Sequence, residues 1–144
     1  MRLLSVLLMM VMTVPTIAHE SADWREYLQE TESHFKATKK RKQKLMEYLP
    51  RFKNISGRKI VDIRFTTEFL NDWGRPVYKM NGKIVQDLKP GRRTSKKEFY
   101  AFPDDPYIFD DAYDKLEPRT REEGASQKVV VTSIRFANGE VINF

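Results

Sequence analysis

The sequence predicts an α+β fold: one long N-terminal helix, then a mostly antiparallel sheet of about five to six strands with two Asn-Gly hairpins. Three observations carry this expectation. Trp24, Leu28, Thr31, Phe35, Thr38, Lys42, Leu45 and Leu49 recur in steps of four and three, which places them on one helical stripe. After Pro50 the hydrophobic period falls to two, the spacing of strands. Asn81-Gly82 and Asn138-Gly139 each separate two apolar runs, and Asn-Gly suits a type I′ turn because both central residues need positive φ.

A distinct segment precedes the helix. Met1-Arg2 carries one positive charge, Leu3 to Val14 is uncharged, and Pro15-Thr16-Ile17-Ala18 ends on a small residue. This is the three-part layout of a secretory signal peptide over residues 1–18. Its apolar run is shorter than the ~20 residues that a spanning helix needs. The expectation is an exported protein, periplasmic or secreted, with His19 first in the mature chain and residues 19–144 as a single α+β domain. The chain has no cysteine, so an exported domain of this kind must hold together by packing.

The helix is expected over residues 23–49. Asp23 caps it, with Glu26 three residues on, as in a capping box. Pro50 stops it, because proline lacks the amide hydrogen that the ladder needs. The stripe turns polar in its middle, at Thr38 and Lys42, so its two ends are expected to pack on the sheet while the middle is solvated. The sheet then spans residues 58–144. Lys59 to Thr66 alternates with Ile60, Asp62, Arg64 and Thr66 on one face and Val61, Ile63 and Phe65 on the other. Val77 to Leu88 reads as a hairpin about Asn81-Gly82, Glu98 to Phe102 as a strand, and Lys128 to Phe144 as a second hairpin about Asn138-Gly139. Residues 103–126 read as a long acidic loop with one helical turn near Ala112 to Leu116. Ile63-Arg64-Phe65 and Ile134-Arg135-Phe136 repeat over three residues, which reads as shared strand chemistry.

Charge narrows the partners. The formal net charge is +6, which favours anionic partners. Lys39, Lys40, Arg41, Lys42 and Lys44 crowd one run, and Arg92, Arg93, Lys96 and Lys97 form a second. Both are candidates for an anionic phospholipid, lipopolysaccharide or acidic glycan surface. The basic run lacks the interleaved aromatics of a single-stranded nucleic-acid platform, and nucleic acid fits an exported protein poorly. The alternative reading of each run is a solvated face.

The acidic loop is the second candidate. Asp110 and Asp111 are interleaved with Tyr107, Phe109 and Tyr113, and long loops in compact domains are often functional. With Trp73 these residues form the expected protein-partner surface. Clustered carboxylates are also calcium-ligand chemistry, yet no EF-hand spacing is present. His19 and His34 are the only histidines; a copper site would need both, so no metal and no cofactor is expected. Asn54-Ile55-Ser56 matches a glycosylation sequon. Without cysteine, and with two histidines and no glycine-rich phosphate loop, the familiar catalytic constellations are missing.

Residues 69–93, with Asp72-Trp73-Gly74-Arg75-Pro76, Tyr78, a glycine turn and Pro90-Gly91, resemble the soluble hairpin region of type II secretion major pseudopilins. The resemblance implies an envelope assembly role, with Trp73 and Tyr78 structural and Asp72 holding the turn. The leader lacks that family's cleavage motif, and Arg92 and Arg93 stand where the family has an acidic loop. Together these readings predict a small exported non-catalytic protein that acts on a protein partner, of inhibitor, immunity, effector or assembly type. Binding of anionic surfaces and a small carboxylate-based hydrolase are the alternatives.

Overall fold

The structure is a computed structural model that describes residues 22–144. The leader and His19 lie outside the described residues. The long helix over 23–49 does not form. In its place stand a 3₁₀ turn, Trp24–Glu26, and three strands: β1 (Leu28–Glu30), β2 (His34–Lys40) and β3 (Gln43–Leu49). The remaining strands are β4 (Phe52–Asn54), β5 (Ile60–Leu70), β6 (Pro76–Leu88), β7 (Tyr100–Pro103), β8 (Ser126–Phe136) and β9 (Val141–Asn143). The α-helical part is a short helix, α1 (Ala112–Leu116), followed by a 3₁₀ turn, Glu117–Arg121. The fold is therefore mostly β, and the α+β expectation is corrected.

Packing explains why the strands win. Met46 and Tyr48 are fully buried yet lie off the helical stripe. In the hairpin, Phe35 pairs with Tyr48 and Ala37 with Met46, so one face carries all four. The Phe35 and Tyr48 rings then reach Phe69, with centroids 5.5 and 5.0 Å away. Burying one such ring is worth about 1.5–3 kcal/mol, more than the few tenths per residue that separate helix propensities. Asp23 still caps, accepting a hydrogen bond from Arg25 N at 3.0 Å, but it caps only the single 3₁₀ turn.

Three sheets make two layers. An antiparallel sheet of order β6-β5-β8-β9 is covered on one face by the sheet β2-β3-β7 and by the β1-β4 pair. Ile63, Phe65 and Phe69 of β5, with Ile84, Val131, Ile134 and Phe136 from its neighbours, point into this interface. A register shift between Ile60 and Asp62 turns Ile60 to the core as well, so it does not share a face with Asp62 and Arg64. Tyr48 buries its hydroxyl here and shares a 3.2 Å hydrogen bond with Thr67 Oγ1. Burial pushes that phenol up to about 12.

Asn81-Gly82 is not a turn, which is the second correction. β6 runs straight through it, with Gly82 opposite Phe65. The hairpin that joins β5 to β6 turns instead at residues 71–75. There Asn71 Oδ1 accepts from Trp73 N (3.1 Å) and Arg75 N (2.9 Å), and Gly74 supplies a φ of +71°. Asn138-Gly139 does turn the chain: Gly139 N donates to Phe136 O at 3.0 Å, and β9 returns along β8. Tyr100 closes one stretch of the free edge of β6, where its hydroxyl accepts from Lys83 N at 2.7 Å and donates to Lys83 O at 2.8 Å.

Candidate functional site

The first basic run is the tip of the β2–β3 hairpin. Lys39 pairs with Lys44 and Lys40 with Gln43, leaving Arg41 and Lys42 as the two turn residues. Their φ angles are 58° and 134°, a region that β-carbons disfavour. The run does not lie on the expected helix but on a strand hairpin. It projects Lys39, Arg41, Lys42 and Lys44 from one tip, all exposed, with no ion pair among the described residues. Lys40 turns back to Glu47 at 2.5 Å and lies over the Phe99 ring at 4.8 Å. The Lys40 hydrogen bond, with Lys36 nearby, holds the Glu47 carboxyl below its ordinary value despite its partial burial.

The second basic run does not join the tip. Arg93 bridges to Lys53 in β4, and Arg92 O accepts from Asn54 N at 2.9 Å, beyond the other end of β3. Lys96 lines a shallow groove with Lys36, Glu47, Leu49, Phe99 and the exposed His34, and Lys97 stays exposed beside it. Asn54 itself is fully buried. Its amide nitrogen donates to Arg58 O (2.6 Å) and Leu88 O (2.8 Å), so the sequon is closed to a glycan in the folded chain.

The acidic loop is ordered by its own carboxylates. Asp105 Oδ1 accepts from Tyr107 N at 3.0 Å, and Asp111 Oδ2 accepts from Asp105 N at 3.0 Å. Asp111 Oδ1 caps α1 through Asp114 N at 2.9 Å, and Asp114 accepts from Asp110 N at 3.1 Å. These backbone donors hold the Asp111 carboxyl below its ordinary value. Asp110 adopts φ 61°, which Asp tolerates, and pairs with Lys115 at 3.3 Å. Spent on backbone N–H groups, the carboxylates do not converge, and among the described residues no three acidic or histidine side chains gather as a metal site. Tyr113 is buried, whereas Tyr107 and Phe109 are 94% and 97% exposed and Ile108 56%.

Trp73 is 80% exposed on the β5–β6 turn. Arg119 ties the start of that turn to β8 and β2. Its Nε donates to Leu70 O at 2.8 Å, another nitrogen donates to Ser126 O, and its guanidinium lies 4.7 Å from the Phe35 ring centroid and 5.0 Å from that of Phe69. Nη1 is buried without a partner. Asp72 N donates to Glu122 Oε2 at 3.0 Å, so the tryptophan turn and the segment after α1 are tied. Asn71, rather than Asp72, carries the turn's side-chain hydrogen bonds.

Sequence reasoning passed over a further cluster on the open face of the four-stranded sheet. Asp62 is paired across the strands with Arg135, and Arg64 with Lys83. The two arginines are the middle residues of the repeated Ile-Arg-Phe fragments, whose isoleucines pair directly, Ile63 with Ile134. The repeat was the available signal.

No protein-family model matches the chain, and no curated protein matches it. No described helix is long and apolar enough to cross a membrane.

Proposed function

We propose that the chain is an exported, non-catalytic binding protein that engages a protein partner through the Tyr107-Ile108-Phe109 tip. One observation carries this reading: three consecutive apolar side chains stand in solvent on a loop whose backbone is fixed by Asp105, Asp111 and Asp114. A fixed loop loses little conformational freedom on docking, and each ring contributes about 1.5–3 kcal/mol when buried. The flanking carboxylates call for a partner whose apolar pocket has a basic rim. The leader, Leu3 to Val14 with its small-residue end, supports export to the periplasm or beyond.

The test uses the full chain as bait in envelope extract and culture fluid. A partner captured by the parent and lost with Tyr107→Ala and Phe109→Ala together supports the proposal. Capture that is indifferent to the pair refutes it. Sequencing the mature N-terminus from each cell fraction tests export.

The hairpin tip supports a second reading, adhesion to anionic surfaces. Four cations at one tip, two of them on a strained turn, cost stability, and a polyanion would offset that cost. Binding to anionic vesicles should fall steeply with salt. Undiminished binding after Lys39, Arg41, Lys42 and Lys44 become glutamine would rule it out.

A further inference from the structure

We propose that the open face of the four-stranded sheet carries an oxyanion site, formed by Arg64, Lys83 and Arg135 around Asp62, that takes a phosphate or sulfate group. Asp62 Oδ1 lies 3.6 Å from Arg64 Nε, and Oδ2 lies 3.3 Å from Lys83 Nζ and 3.9 Å from an Arg135 nitrogen. One carboxylate thus faces three cations and leaves two positive charges uncompensated. Its side chain is only 8% exposed, while those of Arg64, Lys83 and Arg135 are 61%, 51% and 49% exposed. The carboxylate is the floor and the cations are the rim.

Beyond their ion pairs with Asp62, the donors are unengaged. Among the described residues no side-chain hydrogen bond from Arg64, Lys83 or Arg135 to protein is formed, so the guanidinium forks keep the geometry that matches an oxyanion. Arg64 and Lys83 sit directly across the strands from one another, an arrangement of like charges that weakens a sheet. A bound dianion would reverse the sign of that interaction. The depression has a volume of about 510 Å³ and adds Ser133 and Asn143 as uncharged polar partners. Ile63 and Ile134 lie beneath it in the core at 1% exposure each, so the rim rests on a rigid floor. Val85 and Val141 flank it, 59% and 52% exposed, which gives the edge of the site room for the apolar or sugar portion of a phosphorylated or sulfated molecule.

The experiment follows backbone amide shifts of Arg64, Lys83, Ser133 and Arg135 in the full chain during titration at constant ionic strength. The probes are inorganic phosphate, inorganic sulfate and, as control, chloride. Saturable shifts with phosphate or sulfate are expected, weakening by about tenfold when Arg64→Gln and Arg135→Gln are combined, as loss of charge-assisted hydrogen bonds requires. Lys83→Gln alone is expected to weaken binding in the same direction and stands in if the double variant does not fold. The four-glutamine tip variant should titrate like the parent, which separates this site from the hairpin reading. A second arm uses phosphatidylcholine vesicles containing phosphatidic acid. Vesicle binding that depends on Arg64 and Arg135 identifies a lipid headgroup as the source, and binding of inorganic phosphate or sulfate without vesicle binding identifies a soluble one. Shifts that are absent, that chloride reproduces, or that survive both Arg64→Gln/Arg135→Gln and Lys83→Gln overturn the proposal.

Discussion

Gly82 lies flat against the ring of Phe65: a β-carbon built on it would fall 2.2 Å from Phe65 Cζ. The ring occupies the space of the missing side chain, so the glycine serves the core and not a turn. Gly82→Ala should destabilise the protein by about 1–3 kcal/mol through overpacking, read from chemical denaturation. In a double-mutant cycle with Phe65→Ala, the penalty of the alanine at 82 should largely vanish, because the clash needs the ring. An unchanged penalty would contradict the contact.

The turn at the β2–β3 tip should improve when given the residues its backbone asks for. Arg41→Asn with Lys42→Gly removes two strained positions and should stabilise by about 1–2 kcal/mol. The same variant should bind anionic vesicles more weakly, so stability and adhesion are expected to move in opposite directions.

Arg119 is expected to be irreplaceable by lysine. Burial pushes its guanidinium down from its ordinary value, but it stays charged and holds two carbonyls and two rings. Arg119→Met should cost about 2–4 kcal/mol, since the Leu70 and Ser126 carbonyls lose their donors. Arg119→Lys should recover less than half of that loss in urea unfolding, because one ammonium cannot reproduce the fork.

The acidic loop should loosen in acid. The Asp111 carboxyl is depressed below the ordinary aspartate value of 3.8, so its stabilisation is complete above that value and is lost as pH falls through the lower, folded one. Amide exchange at Asp105 and Asp114 should therefore accelerate selectively below about pH 3.8. Asp111→Asn should show faster exchange already at neutral pH and a flat response to acid.

Asp62→Asn should destabilise the chain, because three cations lose their shared counter-charge. Added salt should narrow the gap from the parent by screening the exposed repulsion. A gap that is independent of salt would mean that Asp62 acts through packing.

Strands whose alternation matched their burial were legible in the sequence. β5 buries Ile63, Phe65, Thr67 and Phe69 and β8 buries Val129 and Val131 at alternate positions, and Asn138-Gly139 turns the chain with Gly139 alone at positive φ (+91°), not as the expected type I′ turn. The helix was misread because Trp24, Leu28, Phe35, Leu45 and Leu49 fall on a period of three and a half by coincidence. The polar interruption at Thr38 and Lys42 was the warning, since the hairpin tip lies there. Asn81-Gly82 misled because a glycine opposite an aromatic ring looks, in one dimension, like a glycine in a turn. The exposure of Tyr107 and Phe109 was readable from their acidic neighbours, whereas the burial of Tyr113 was not. For the cluster about Asp62 the repeated Ile-Arg-Phe fragments marked Arg64 and Arg135 but not their meeting, because the four residues come from three strands and meet only through register.

The Tyr100 hydroxyl satisfies both polar groups of Lys83 on the free side of β6. Burial raises this phenol above its ordinary value, so it remains a neutral group, both donor and acceptor, across neutral pH. An outer strand thirteen residues long would otherwise be a template for another molecule's strand. With one rung already taken by a side chain, an incoming strand meets a broken ladder, and the protein has a built-in guard against growing into a continuous intermolecular sheet.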